Sequence, residues 1–399
     1  MLKLLHFLKA LISIILITVL PAQGQLPFKG KVIDETNSEP LPYTNIFLNN
    51  TTYGTTTLED GTFSMEIPSG EHEIVVKYIG YELVSFKINT EELAKGYVIK
   101  LAPEPVELNS ITIESTRDKN WYANLQIFKT YFLGTSKNAL ACEILNPKDL
   151  IIDSENTTRT LKVSARKAIK ITNPNLGYEI DYLLENFIFD RTQNKIFFSG
   201  YPLFKPLDLR KGKERRVIKE RKEAYHGSFM HFLRVIANDS LEASGFIVKK
   251  LKREPSPDRP DEALLLAAKR EFTKSTDQAE KDSLLNNYIS KSRLPKYVDY
   301  LVDKELLIDE FTETDEEGNF KLKFDNLLYI VYTKEKEALR YVGVKLNRQP
   351  TSQTTILHLL NEEAGIDKRG ILLKPNSVFL EGYMGWEKIG ELLPINYKP

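Results

Sequence analysis

The pair Asp60-Gly61 constrains this chain more than any other feature, because it separates two runs in which apolar and polar residues alternate. Asp-Gly tolerates the positive φ that tight β-turns require, so the pair predicts a hairpin. After it, Phe63, Met65 and Ile67 fall on one face and Ser64 and Glu66 on the other, the period of a half-buried strand. Pro68-Ser69-Gly70 breaks the run. Ile74, Val76 and Tyr78 resume it, and Gly80 interrupts again before Val84, Phe86 and Ile88. With the runs at 28–33, 43–48, 97–101 and 108–113, the count reaches about seven or eight short strands, which predicts a small β-sandwich.

Four ordered blocks in this stretch are Gly30-Lys31-Val32-Ile33-Asp34, Glu39-Pro40-Leu41-Pro42-Tyr43-Thr44-Asn45-Ile46, Gly54-Thr55-Thr56-Thr57 with Asp60-Gly61-Thr62-Phe63, and Tyr78-Ile79-Gly80-Tyr81. They resemble the carboxypeptidase-like regulatory domain, a transthyretin-like or Ig-like sandwich. The resemblance implies a fold and no activity. In that family the module accompanies metallopeptidase domains, or precedes TonB-dependent outer-membrane receptors in Gram-negative bacteria of the Bacteroidota type.

Residues 1–24 read as a secretory signal peptide: Lys3 and Lys9 form a basic start, 10–20 is apolar, and Ala22-Gln23-Gly24 offers small residues for cleavage. The apolar run is shorter than the roughly 20 residues that span a bilayer, so cleavage is expected over a retained anchor. A chain of 399 residues exceeds a single core, and the boundaries expected are 25–115 for the sandwich and 116–399 for a second domain. Lys plus Arg equals Asp plus Glu at 55 each, so no global field steers the chain toward nucleic acid. The single cysteine, Cys142, permits no intramolecular disulfide.

Beyond 116 the pattern changes. Trp121, Leu125, Phe128 and Phe132 recur at helical intervals until Gly134, predicting an amphipathic helix closed by a glycine. Strands are expected at 161–164, 167–171, 178–189 and 195–199, and helical segments at 213–225 and 228–237. After a polar, proline-bearing gap at 253–259, a helix is expected at 278–290 and strands at 297–308, 320–324 and 327–333. Strands and helices come in runs without regular alternation, which favours an α+β domain. Blocks such as Gly177-Tyr178-Glu179-Ile180-Asp181-Tyr182-Leu183-Leu184 and Ala224-Tyr225-His226-Gly227-Ser228-Phe229-Met230-His231-Phe232-Leu233 resemble a group of secreted proteins from the same bacteria, with no activity to carry over. What remains after the sandwich is too short for a 22-stranded receptor barrel.

No histidine among His6, His72, His226, His231 and His358 is followed three residues later by Glu, so the carboxypeptidase zinc spacing is absent. His226, Ser228 and His231 are the candidate catalytic group. On one continuous helix the two histidines would point about 140° apart, and only a turn at Gly227 would bring them together. The plainer reading makes His226 part of a helix start and packs His231 beside Phe229 and Phe232. Cys142 reads as a buried, inert thiol. Ser164-Ala165-Arg166-Lys167 matches an acyl-enzyme spacing without its companion motifs. The basic run 210–222 reads as a solvated helix face or as a contact for lipid phosphates or an acidic partner. Asp315-Glu316-Glu317-Gly318-Asn319 reads as a hairpin turn.

The expectation is a two-domain protein, an all-β sandwich followed by an α+β domain, exported to the periplasm or the outer membrane and not an enzyme. It should need neither cofactor nor metal, and should bind or assemble with an envelope protein, a receptor complex or a glycan. The alternative is a hydrolase using His226, Ser228 and His231.

Overall fold

The computed structural model describes residues 25–104, 119–152, 159–192, 194–316, 318–343 and 348–399. The expected signal segment at 1–24 and the expected strand at 108–113 lie outside the described residues.

The alternating residues build a two-sheet sandwich. Its strands are β1 (Leu26–Asp34), β2 (Asn45–Leu48), β3 (Gly54–Thr56), β4 (Thr62–Ile67), β5 (Glu71–Lys77), β6 (Val84–Asn89) and β7 (Tyr97–Leu101). One sheet runs β4-β1-β7 and the other β3-β2-β5-β6. Phe63, Met65 and Ile67 point inward against Phe28, Ile46, Ile74 and Leu101, while Ser64 and Glu66 face solvent. Full burial of each large side chain is worth about 1.5–3 kcal/mol, and that contribution fixes the strand register.

The Asp60-Gly61 turn is real, but the hairpin expected there is not. β3 pairs with β2 in one sheet and β4 pairs with β1 in the other, so the turn is a corner between sheets. Gly61 has φ +76°, and a Cβ there would lie 2.7 Å from the Val32 carbonyl oxygen. The turn therefore folds down onto β1, and its glycine is demanded by close approach as well as by φ. The hairpins within sheets are β2–β3 and β5–β6.

The described chain divides into two compact units. The first, residues 1–134, 138–221 and 392–399, holds the sandwich and a six-stranded sheet. That sheet comprises β8 (Glu143–Ile144), β9 (Leu150–Ile152), β10 (Thr160–Ala165), β11 (Ile169–Asn173), β12 (Tyr178–Asp190) and β13 (Lys195–Pro206). Helix α1 (Lys119–Phe132) lies on it. Trp121, Leu125, Phe128 and Phe132, the residues of the expected stripe, are all buried. Phe128 meets Phe187 edge-on at 4.7 Å, and Phe132 meets Tyr182 at 5.0 Å. Within this unit the sandwich loop after β2 is clamped from two sides. Phe204 N–H donates to the Thr51 carbonyl at 2.9 Å, and Ile395 N–H near the end of the chain donates to the Asn50 carbonyl at 2.7 Å.

The second unit, residues 135–137 and 222–391, is built on a sheet of β14 (Phe246–Pro255), β15 (Tyr297–Glu305), β18 (Leu327–Lys336), β19 (Ser352–Leu359) and β21 (Val378–Gly382), in the order β15-β14-β18-β19-β21. A smaller sheet, β16 (Thr312–Thr314), β17 (Phe320–Leu322) and β20 (Ala364–Ile366), lies beside the same core. The turn expected at 315–319 joins β16 to β17, with Gly318 at φ +80°.

Two further helices matter below: α2 (Glu214–Tyr225) and α3 (Phe229–Ala237). Phe232, Leu233, Val235 and Ile236 of α3 cover Phe246, Val248, Leu328 and Ile330. The expected gap at 253–259 is strand as far as Pro255. It is followed by a helix over Glu262–Lys274 that the sequence reading missed, capped by Asp261, whose carboxylate accepts from Leu264 N–H at 2.8 Å. The α+β character of the chain beyond the sandwich is borne out.

Candidate functional site

The segment His226–His231 sits between α2 and α3. Gly227 adopts φ +75°, and a Cβ there would meet Gln353 Oε1 at 2.1 Å and Tyr332 Cδ1 at 2.8 Å. Only glycine fits, and the turn it makes breaks the single-helix geometry in which the histidines diverge. The two imidazoles come together, with centroids 5.3 Å apart and planes at 80°. His231 is also enclosed by Tyr225 at 4.8 Å, Phe246 at 5.0 Å and Tyr332 at 5.7 Å.

Ser228 does not join them. It is the N-cap of α3: its Oγ accepts from His231 N–H at 3.2 Å and donates to the Tyr225 carbonyl at 2.6 Å. That is how serine satisfies the open donors of a helix start. His231 Nδ1 accepts from Gly227 N–H at 3.2 Å, which places the proton of the neutral ring on Nε2.

The electrostatics follow from burial. His231, 9% exposed, is depressed from 6.5 to about 4, first by desolvation and then by His226, Lys334 and Arg234. His226 is lowered as well, by burial and by Lys222 and Lys334. Tyr332 is pushed up to about 12 and Glu335 is raised, both chiefly by burial. Glu335 accepts from Gln353 Nε2 at 3.3 Å, leaving Gln353 Oε1 buried and unsatisfied, as is His226 Nδ1.

Among the described residues neither imidazole is hydrogen-bonded to a carboxylate, the arrangement that orients a general base. The cluster has the chemistry of a neutral aromatic packing site closed by a helix cap. Gln353 and Tyr332 were invisible to the sequence reading, because they arrive from β18 and β19, more than a hundred residues downstream.

The other nucleophiles are placed as follows. Cys142 is half-buried, its Sγ 3.4 Å from the Asn138 carbonyl. Ser164 lies on β10, which ends at Ala165, so Ser164 and Lys167 do not share a helix face. Ser164 borders a shallow hollow of ≈ 310 Å³ with Lys162, Glu185 and Asn186. No group of three or more His, Cys, Asp or Glu suited to a metal occurs among the described residues. A charged network that sequence reasoning missed spans four strands: Arg253 holds Asp299 at 2.7 Å and Glu381 at 2.8 Å, and His358 Nε2 lies 3.1 Å from Glu381.

In the sandwich, the motif residues secure the turns. The Asp34 carboxylate accepts from the Thr36 hydroxyl at 2.5 Å, from Tyr81 O–H at 2.7 Å and from Thr36 N–H at 2.6 Å, and these bonds hold it down to about 2. Thr44 and Thr57 hydroxyls both donate to the Leu41 carbonyl, at 3.0 and 2.6 Å. Beside these anchored residues, Tyr43, Leu58 and Ile79 stand 63%, 65% and 79% exposed.

Those anchors coincide with a family. Residues 28–113 match the CarboxypepD_reg-like domain. The resemblance carried by the four sequence blocks is thereby confirmed. No curated protein matches the chain. Among solved structures, a protein of unknown function from Bacteroides fragilis, described as a candidate for membrane association, is 8% identical. The match covers 91% of this chain and 94% of that one, at a TM-score of 0.17. A 9R-lipoxygenase from Cyanothece is 12% identical over 56% of this chain and 48% of its own, at a TM-score of 0.14. Neither superposes closely enough to bear on fold or function.

Proposed function

We propose that this protein is a non-catalytic binding or assembly component of the cell envelope, with the regulatory-type sandwich as its contact module. The observation that carries the reading is the division of labour within the sandwich. Its polar motif residues are consumed in holding turns, while Tyr43, Leu58 and Ile79 are left largely exposed at those turns. Apolar side chains held out on rigid turns suit a protein partner more than a substrate. The export signature at 1–24 supports placement in the periplasm or at the outer membrane. The commitment of Ser228 Oγ to the Tyr225 carbonyl weighs against the hydrolase alternative.

The test is cross-linking in cell envelopes with tagged full-length chain, comparing the natural sequence with Leu58→Asp and Ile79→Asp. Reproducible recovery of the same partner, lost in both variants while the sandwich stays folded, supports the reading. Recovery that is unaffected by either substitution refutes it.

A further inference from the structure

Although the chain is neutral overall, residues 210–221 carry Arg210, Lys211, Lys213, Arg215, Arg216, Lys219 and Arg221 against only Glu214 and Glu220. All lie in the first unit. The structure sorts these charges into two classes. Arg221 is an anchor: its Nε donates to the Leu176 carbonyl at 2.7 Å and its guanidinium lies 4.0 Å over the Tyr178 ring. Arg216 is tied to Glu220 at 3.9 Å, and Glu220, 5% exposed, faces inward beside buried Val217.

The side chains of Arg210, Lys211, Lys213 and Arg215 are exposed and make no ion pair among the described residues. A merely solvated helix face is usually laced by acids at i,i+4, and here Glu220 is turned inward and Glu223 lies near the far end of the helix, leaving the cations at 210–215 with Glu214 alone beside them. In the midst of these cations Ile218 is 62% exposed, three residues after Arg215 and one before Lys219.

We propose that this face of α2 and the turn before it rests on an anionic phospholipid surface, the cations meeting headgroup phosphates and Ile218 entering between them. Clustered Lys and Arg on a helix, around an apolar residue, match the charge and depth profile of a lipid interface. The exposed helix face is convex and its charges sit on long flexible stems, which suits a fluid array of phosphates. This surface is separate from the exposed turns of the sandwich and stands or falls independently of their partner.

The experiment is flotation of the full chain with phosphatidylcholine vesicles, with and without phosphatidylglycerol, at low salt. Retention is expected only with phosphatidylglycerol, and release in about 1 M salt, where the screening length falls to about 3 Å. At about five-fold per cation, the variant Arg210→Glu, Lys211→Glu, Lys213→Glu, Arg215→Glu should bind at least about a hundred-fold more weakly. Its thermal midpoint should not fall, since none of the four has a folded-state ion pair to lose and their mutual repulsion is relieved. Should the quadruple variant unfold, Lys211→Glu with Lys213→Glu alone should still weaken binding at least about ten-fold. Ile218→Ser should weaken it several-fold.

Absence of binding, equal binding to neutral vesicles, or unchanged binding of the charge variants overturns the proposal. Displacement of the vesicles by polyglutamate at matched charge also overturns it, in favour of an acidic protein.

Discussion

Replacing His231 with phenylalanine should make the second unit less stable at neutral pH and remove a pH dependence below it. His231 has its folded value near 4 against 6.5 for the free side chain, because protonation must place a charge among Tyr225, Phe246 and Tyr332. The unfolded chain therefore binds more protons than the folded one across that interval, so stability is intact above about pH 6.5 and falls as pH drops toward 4. The full displacement corresponds to about 3 kcal/mol, most of which should be lost by pH 4.5.

Phenylalanine keeps the ring but strips the acceptor from Gly227 N–H, which costs about 1–2 kcal/mol. The two proteins should therefore differ by that amount near pH 7, and the difference should vanish or reverse near pH 4.5. His226 and His358, also lowered, and Glu335, raised by burial with the opposite sign, titrate in both proteins and largely cancel in the comparison. His226 faces His231 directly, so the low-pH step belongs partly to the pair. Urea unfolding at both pH values, with NMR titration of the His231 ring, decides the matter. A stability gap that does not change with pH, or a His231 midpoint near 6.5, refutes the reasoning.

Other outcomes follow from the same geometry. Gly227→Ala should cost at least about 2 kcal/mol in chemical unfolding, since the residue needs positive φ and its Cβ would strike Gln353. Ser228→Ala should cost about 1 kcal/mol by loss of the helix cap, with no effect on any hydrolysis assay. Phe128→Ala should cost about 3–5 kcal/mol, because the side chain is fully buried against Phe132 and Phe187. In the sandwich, Asp34 is held near 2, below 3.8, so its stabilisation is present above about pH 4 and lost as pH falls toward 2. Tyr81→Phe removes one of the bonds that lower it, and acid unfolding should begin at a higher pH.

What could be read in advance was local. Phe63, Met65 and Ile67, and later Trp121, Leu125, Phe128 and Phe132, declare their faces by spacing alone, and the structure buries them as that spacing requires. The Asp60-Gly61 turn was equally plain, yet nothing in a turn says whether its strands pair with each other. β4 joins β1 because its apolar face must close the core from the opposite sheet. The helix over Glu262–Lys274 was missed because Leu264-Leu265-Leu266 blurs the period, and only Leu265 of the three is buried.

The histidine cluster was half legible. Gly227 marked the turn that could bring the rings together, but the enclosing Tyr332 and Gln353 come from distant strands and carry no sequence signal. The network around Arg253 is assembled from four separate strands and was unreadable for the same reason.

The most direct test of the account is the envelope cross-linking comparison at the sandwich turns. A single partner captured by the natural chain and lost with Leu58→Asp and with Ile79→Asp, the sandwich remaining folded, is the predicted result. Capture that survives both substitutions would contradict the claim that the exposed turns are the contact.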